Sequence, residues 1–295
     1  MVLAIARGRI AIFGAVIILG ACGSSDDDDD AAGELAPLIA TTTIWADVTS
    51  HIACGEPVDS IVPAGADPHQ FEPSLRDRER VTEAGVVIAN GAGLEESLAD
   101  LVDTLAGDGV PVVAVVDHVD AIDGDPHVWQ DPRRVLDAVD GIEPAVVASG
   151  RDAADIARCA DDYRAELAAL DRDVEAALAA IPPGQRVLVT NHDSFGYFAD
   201  RYGFEVIGAV IPSSSTLGEG SAGQLAHLAE AIETNAVPAI FTERFGSATD
   251  AEALAERLGV EVVELDSDAL GSDGPASTYT GMMRANAQAI AAALR

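Results

Sequence analysis

The 295-residue chain contains no lysine: all 17 basic residues are arginine, set against 50 acidic residues for a formal charge of -33. The absence excludes P-loop nucleotide hydrolases, protein kinases and Schiff-base or pyridoxal-phosphate chemistry, each of which needs a lysine at the reacting group. The acidic excess repels phosphate backbones, so nucleic acid is not expected as a partner. Such an excess draws cations without choosing among them; choice needs a built site. Cysteine is scarce, with three in the chain: Cys22, Cys54 and Cys159. The apolar run near the N terminus, Ile10 to Leu19, has ten residues, against about 20 for a membrane-spanning helix. What is present in quantity is hydrophobic residue, 48% of the chain, enough for a substantial buried core.

The short apolar run, preceded by Arg7 and Arg9, has the shape of a secretory signal. It ends in Leu19-Gly20-Ala21-Cys22, which resembles the bacterial lipobox, where the cysteine becomes the lipid-modified first residue of the mature protein. Residues 1–21 therefore read as a lipoprotein signal peptide. Residues 22–34 read as the lipidated Cys22 and a solvated tether containing the acidic run Asp26 to Asp30. The expected location is the extracytoplasmic side of the cell membrane, with a lipid as anchor. In that oxidising setting Cys54 and Cys159 are expected to form a disulfide, with two buried free thiols as the alternative.

The remainder alternates β-rich runs with helical patterns. Strands are predicted at 38–43, 59–62, 86–89 and 112–116, then at 186–190, 205–211, 238–242 and 261–265. Helical segments between them imply parallel sheets. Between Asp152 and Ile181 an Ala-rich stretch carries Tyr163, Leu167, Leu170, Val174 and Leu178 at spacings of three and four, one apolar stripe on a single long helix. The prediction is α/β: two parallel-sheet lobes, 35–151 and 184–295, joined by one helix within 152–183, with a ligand site in the cleft between them.

Of six histidines, three sit in distinctive loops. His69 follows a strand in Asp67-Pro68-His69, His127 precedes a helix in Asp125-Pro126-His127, and His192 directly follows the strand ending at Thr190. Asp266 directly follows the strand ending at Leu265. In open parallel sheets ligands bind beyond the carboxyl ends of the strands, so these four converge from two lobes. Three imidazoles and a carboxylate suit zinc, which takes N and O ligands tetrahedrally. Glu72, Asp193 and Glu243 are candidates to brace the ligands from behind. His51, His118 and His227 read as ordinary histidines. Imidazole binds metal only when neutral, so affinity should fall below about pH 6.5.

These segments also resemble a known family. The lipobox, Gly65 to Ser74, Asn90 to Glu95, Asp125 to Pro132, His192 to Phe198, and Asp266-Ser267 followed by Tyr279 to Asn286 are similar to the solute-binding lipoproteins of zinc and manganese ABC importers. The resemblance implies metal ligands at His69, His127, His192 and Asp266, with Zn²⁺ as the carried ion and Mn²⁺ as the alternative. It also implies an ABC-type permease as partner, with a metallochaperone as a further one, and a monomer with no enzymatic activity. His192 at the third ligand position resembles the zinc group. Many zinc members carry a His-rich loop between the first two ligands; here that interval holds only His118.

Two rival readings fail on the residues. Gly218 to Gly223 matches the dinucleotide pattern G-x-G-x-x-G, but Pro212 to Leu217 separate it from the preceding strand, where the true motif follows at once. A zinc hydrolase would pair three ligands with an open position and use Glu72 or Glu243 as base. The sequence contains neither H-E-x-x-H nor G-x-S-x-G.

Overall fold

Runs of Val, Ile, Leu and Ala form two four-stranded parallel sheets in the computed structural model, which describes residues 35–122, 124–244 and 248–295. Cys22, the lipobox and the run Asp26 to Asp30 lie outside the described residues. The first sheet holds β1 (Leu38–Ala40), β2 (Asp59–Ser60), β3 (Val86–Ala89) and β4 (Val112–Ala114) in the order β2-β1-β3-β4. The second holds β5 (Val187–His192), β6 (Glu205–Ile211), β7 (Ala239–Glu243) and β8 (Glu261–Leu265) in the order β6-β5-β7-β8. In each sheet the order reverses at the middle pair, β1/β3 and β5/β7, which opens a crevice beyond the carboxyl ends of those strands.

Some ends differ from the sequence reading for local reasons. β1 stops at Ala40 because Thr42 turns to cap α1 (Thr43–Ile52), its hydroxyl accepting the Trp45 N–H at 3.4 Å. β4 stops at Ala114 and continues as a 3₁₀ turn over Val115–His118. The decoy glycine segment runs into a helix: its Ser221 caps α7 (Ala222–Asn235) in a reciprocal box with Gln224.

Alternation along the strands gives each sheet two apolar faces. Ile39 and Val87 point to a small core with Val81 of α2 (Leu75–Val81) and Leu98, Leu101 and Leu105 from the α3 region (α3, Ala99–Gly107, with the turn before it). Val189, Val210 and Ile240 point to a second small core under α7 and α8 (Thr249–Leu258). The opposite faces of both sheets share a third and much larger core. It takes in Trp45, Trp129, Tyr197, Phe198, Tyr279, Met282 and Met283, each at most 1% exposed.

Through that common core runs α5 (Ala153–Leu178), 26 residues and roughly 39 Å at 1.5 Å per residue. Its buried residues include Tyr163, Leu167, Leu170, Val174 and Leu178. Helix α9 (Tyr279–Ala293) packs against it and α4 (Pro132–Ala148) precedes it. Cys54, just beyond α1, is bonded to Cys159 on α5, with the two Cα atoms 5.3 Å apart. Among the described residues no helix is long and apolar enough to cross a membrane.

Candidate metal centre

Each chain segment reaching the inter-lobe crevice is held by named polar groups. His192 is the last residue of β5, opposite Ile211 of β6, so its backbone is fixed by the sheet. His127 lies before α4, and the preceding Pro126 carbonyl accepts from Asn90 Nδ2 at 2.8 Å. Asn90 is held in turn by Trp45 Nε1 at 2.8 Å and by buried Glu95, whose Oε1 accepts the Asn90 N–H at 2.9 Å. Burial pushes the Glu95 carboxyl up, against the pull of its hydrogen bonds to Thr41 and the backbone.

From the other lobe, Tyr197 of α6 (Gly196–Tyr202) donates its hydroxyl proton to the Asp125 carbonyl at 2.9 Å. A Cβ at position 196 would stand 2.6 Å from Asp125 Oδ2, so a larger residue there would push on that carboxylate.

The ligand atoms of His69, His127, His192 and Asp268 all lie within 4.8 Å of one another, and all four residues are buried. His192 Nε2 is 3.1 Å from His127 Nε2 and 3.5 Å from Asp268 Oδ2. In a tetrahedral site with bonds of about 2.0–2.1 Å, ligand atoms stand about 3.3 Å apart. The Nδ1 atoms of two imidazoles are already engaged. Asp125 Oδ1 holds His127 Nδ1 at 2.7 Å, and Glu243 holds His192 Nδ1. That bracing orients both rings with Nε2 toward the common centre, an arrangement typical of metal-bound histidine.

His69 differs: both its ring nitrogens are buried and have no hydrogen-bond partner, and Asp268 Oδ1 is likewise unpartnered. A buried polar atom left without a partner costs about 1–3 kcal/mol. A cation among the four groups would satisfy them all, so the donor set fits a metal ion. Beside them lies a cavity of about 10 Å³ lined in part by Asp67, Glu243, Arg244 and Asp268.

The electrostatics split the histidines. Burial, then the neighbouring His127 and His192, lowers His69 to about 3. Burial also acts to lower His192, but the Asp268 charge and the Glu243 hydrogen bond outweigh it and raise the ring to about 9. Asp268 is pushed up by burial, and Glu243 is held down, against its burial, by the bond to His192.

The expected fourth ligand was Asp266, and here the structure corrects the sequence. The Asp266 carboxylate pairs with the Arg244 guanidinium at 2.7 and 3.3 Å, and its backbone is clasped by Asn286 at 3.0 and 2.6 Å. The chain then turns. Trp129 Nε1 donates to the Ser267 carbonyl at 2.6 Å, which delivers Asp268 to the imidazoles. Of the expected braces, Glu243 contacts a ligand, while Glu72 and Asp193 are solvent-exposed. Asp125, which sequence reasoning had not separated from its motif, is the brace for His127. Outside the cluster, His51 stacks on Tyr163 with ring centroids 4.6 Å apart, and His118 and His227 are exposed.

Comparison with known proteins identifies the family. The family described as "Zinc-uptake complex component A periplasmic" matches residues 38–293. The manganese-binding lipoprotein MntA of Halalkalibacterium halodurans is 32% identical over 289 residues, 94% of this chain and 95% of its own. The zinc-binding protein TroA of Treponema pallidum is 33% identical over 283 residues, 90% of this chain and 91% of its own. Its solved structure aligns with a TM-score of 0.82 at 31% identity, covering 88% of this chain and 99% of that one. The iron ABC transporter substrate-binding lipoprotein MtsA of Streptococcus pyogenes is 28% identical over 301 residues, 96% of each chain. A match across nearly the whole folded chain, on the same two-lobed fold, places this protein in that family of metal-binding components of ABC importers, which are not enzymes.

Proposed function

We propose that the protein captures Zn²⁺ on the extracytoplasmic side through His69, His127, His192 and Asp268 and passes it to an ABC-type permease, tethered by a lipid on Cys22. The donor set carries this reading: three imidazole nitrogens and one carboxylate, all buried. Zinc takes four such ligands tetrahedrally, whereas manganese favours six, mostly oxygen. The manganese reading has one observation in its favour, the extent of the match to a manganese-binding lipoprotein. Protein purified without added metal should carry about one zinc per chain, and that zinc should survive a hundredfold excess of Mn²⁺. One manganese per chain, resisting exchange for zinc, would establish the second reading instead.

The common core bears on how the ion is held. Relative motion of lobes is the default unless their interface is large and apolar, and here both sheets, α5 and α9 share one apolar core. Loading is therefore expected to leave the lobes in place. Small-angle scattering should give equal radii of gyration before and after zinc is added. A clear contraction on loading would rule out the rigid scaffold while leaving the ligands untouched.

A further inference from the structure

The two Asp-Pro-His segments build the same turn and then part ways. In each, Asp Oδ1 accepts the backbone N–H of the histidine two residues on, at 2.9 Å. In the second segment that same oxygen also holds the ring, Asp125 to His127 Nδ1. In the first, Asp67 has no bond to the His69 ring. Its Oδ2 instead accepts from the Thr216 hydroxyl at 2.6 Å, across the cleft in the other lobe, and from Gln70 Nε2 at 2.8 Å. Gln70 Nε2 is also 3.2 Å from Thr216 Oγ1, closing a three-membered polar knot.

The anchoring of the three imidazoles is correspondingly unequal. His192 sits in a paired strand with Glu243 on its ring. His127 has Asp125 on its ring and Asn90 and Tyr197 on the backbone before it. The His69 ring has no hydrogen-bond partner. Beyond the knot, one further hydrogen bond among the described residues ties its loop to the opposite lobe, Gly65 N–H to the Leu270 carbonyl at 3.2 Å.

We propose that Asp67 and Thr216 form a latch between the lobes that positions His69 in the cluster, and that parting this latch is the step that frees the ion. The inference rests on the four-residue metal site proposed above. It makes His69 the first ligand to leave and the Thr216 loop the control point. Release then needs no rotation of the packed lobes, since only the Thr216 bonds to Asp67 and Gln70 part and one imidazole moves.

Zinc dissociation into excess chelator, followed by stopped flow, tests this on the full folded chain. Thr216→Val keeps the side-chain shape and deletes the hydroxyl, while Thr216→Ser restores it. Thr216→Val should release zinc about tenfold faster or more, the scale of a hydrogen bond to a charged group, with the association rate and one-to-one stoichiometry kept. Thr216→Ser should release at the wild-type rate, a rescue that loss of packing alone would not give. Should Thr216→Val prove unstable, Thr216→Ala against Thr216→Ser makes the same comparison. Wild-type release from the hydroxyl-less variant, with His69→Ala still weakening binding, overturns the latch and leaves the site standing. Unchanged zinc affinity in His69→Ala overturns the site itself.

Discussion

Alanine at His192 or at Asp268 is expected to weaken zinc binding by about a hundredfold or more, while alanine at Asp266 changes it by less than about tenfold. Structural zinc sites bind with apparent free energies of about 10–16 kcal/mol, so each of four ligands carries roughly 2.5–4 kcal/mol, about 70- to 900-fold in affinity. Asp268 lies 3.5 Å from His192 Nε2 and has one oxygen with no other partner. Asp266 is committed to Arg244 and has no such oxygen to spare. Its loss should appear as a lower melting temperature, since the salt bridge is buried on the Asp266 side. His51→Ala and His227→Ala, both outside the cluster, serve as unchanged controls. Competition titration against a chromophoric chelator reads all five variants. Tight binding by Asp268→Ala together with weak binding by Asp266→Ala would show that the loop after β8 adopts a different conformation around the metal.

How much of this was legible in the sequence depends on the kind of signal. The long helix was readable because five apolar residues repeat at spacings of three and four, and a stripe so placed has one way to be buried. The parallel sheets were readable from strands separated by helical patterns. The meeting of the three histidines was readable because each borders a strand or a proline-fixed turn. The carboxylate was misplaced because adjacency to a strand end says nothing about which way a side chain turns.

Arg244, at the end of the neighbouring strand, captures Asp266, and the Ser267 carbonyl, bound by Trp129, redirects the chain toward the imidazoles. Such a choice is made by contacts 22 and 138 residues apart in sequence, which no local pattern contains. A hint existed: Arg244 follows Glu243 at the end of β7, so one basic side chain stood ready for one of the acids after β8. The braces show the same limit. Glu72 lies near a ligand in sequence but is exposed in space, whereas Glu243 is 51 residues from His192 and touches it.

Zinc affinity is expected to rise about tenfold for each pH unit between roughly pH 6 and 8.5, a window well above that of an ordinary histidine site. The hydrogen bonds assign the protons. His127 Nδ1 faces the Asp125 carboxylate and so carries a proton. His192 has the Glu243 carboxylate on Nδ1 and the Asp268 carboxylate 3.5 Å from Nε2. Negative charge on both sides favours the protonated ring and raises it to about 9, against the effect of burial.

The proton on His192 Nε2 occupies the position where the metal bonds, so the ion must displace it. His69, lowered to about 3, is already neutral and contributes no proton over this range. The sign follows: below about pH 9 the His192 proton competes with zinc, and each unit of acidification strengthens the competitor tenfold. Binding at pH 7 should thus release about one proton per zinc. Calorimetry in buffers of different protonation enthalpy measures that number directly, and titrations at pH 6, 7 and 8 measure the slope. A proton count near zero at pH 7, with affinity flat until the pH drops below about 6.5, would mean that His192 behaves as an ordinary imidazole and that Glu243 and Asp268 do not hold it charged.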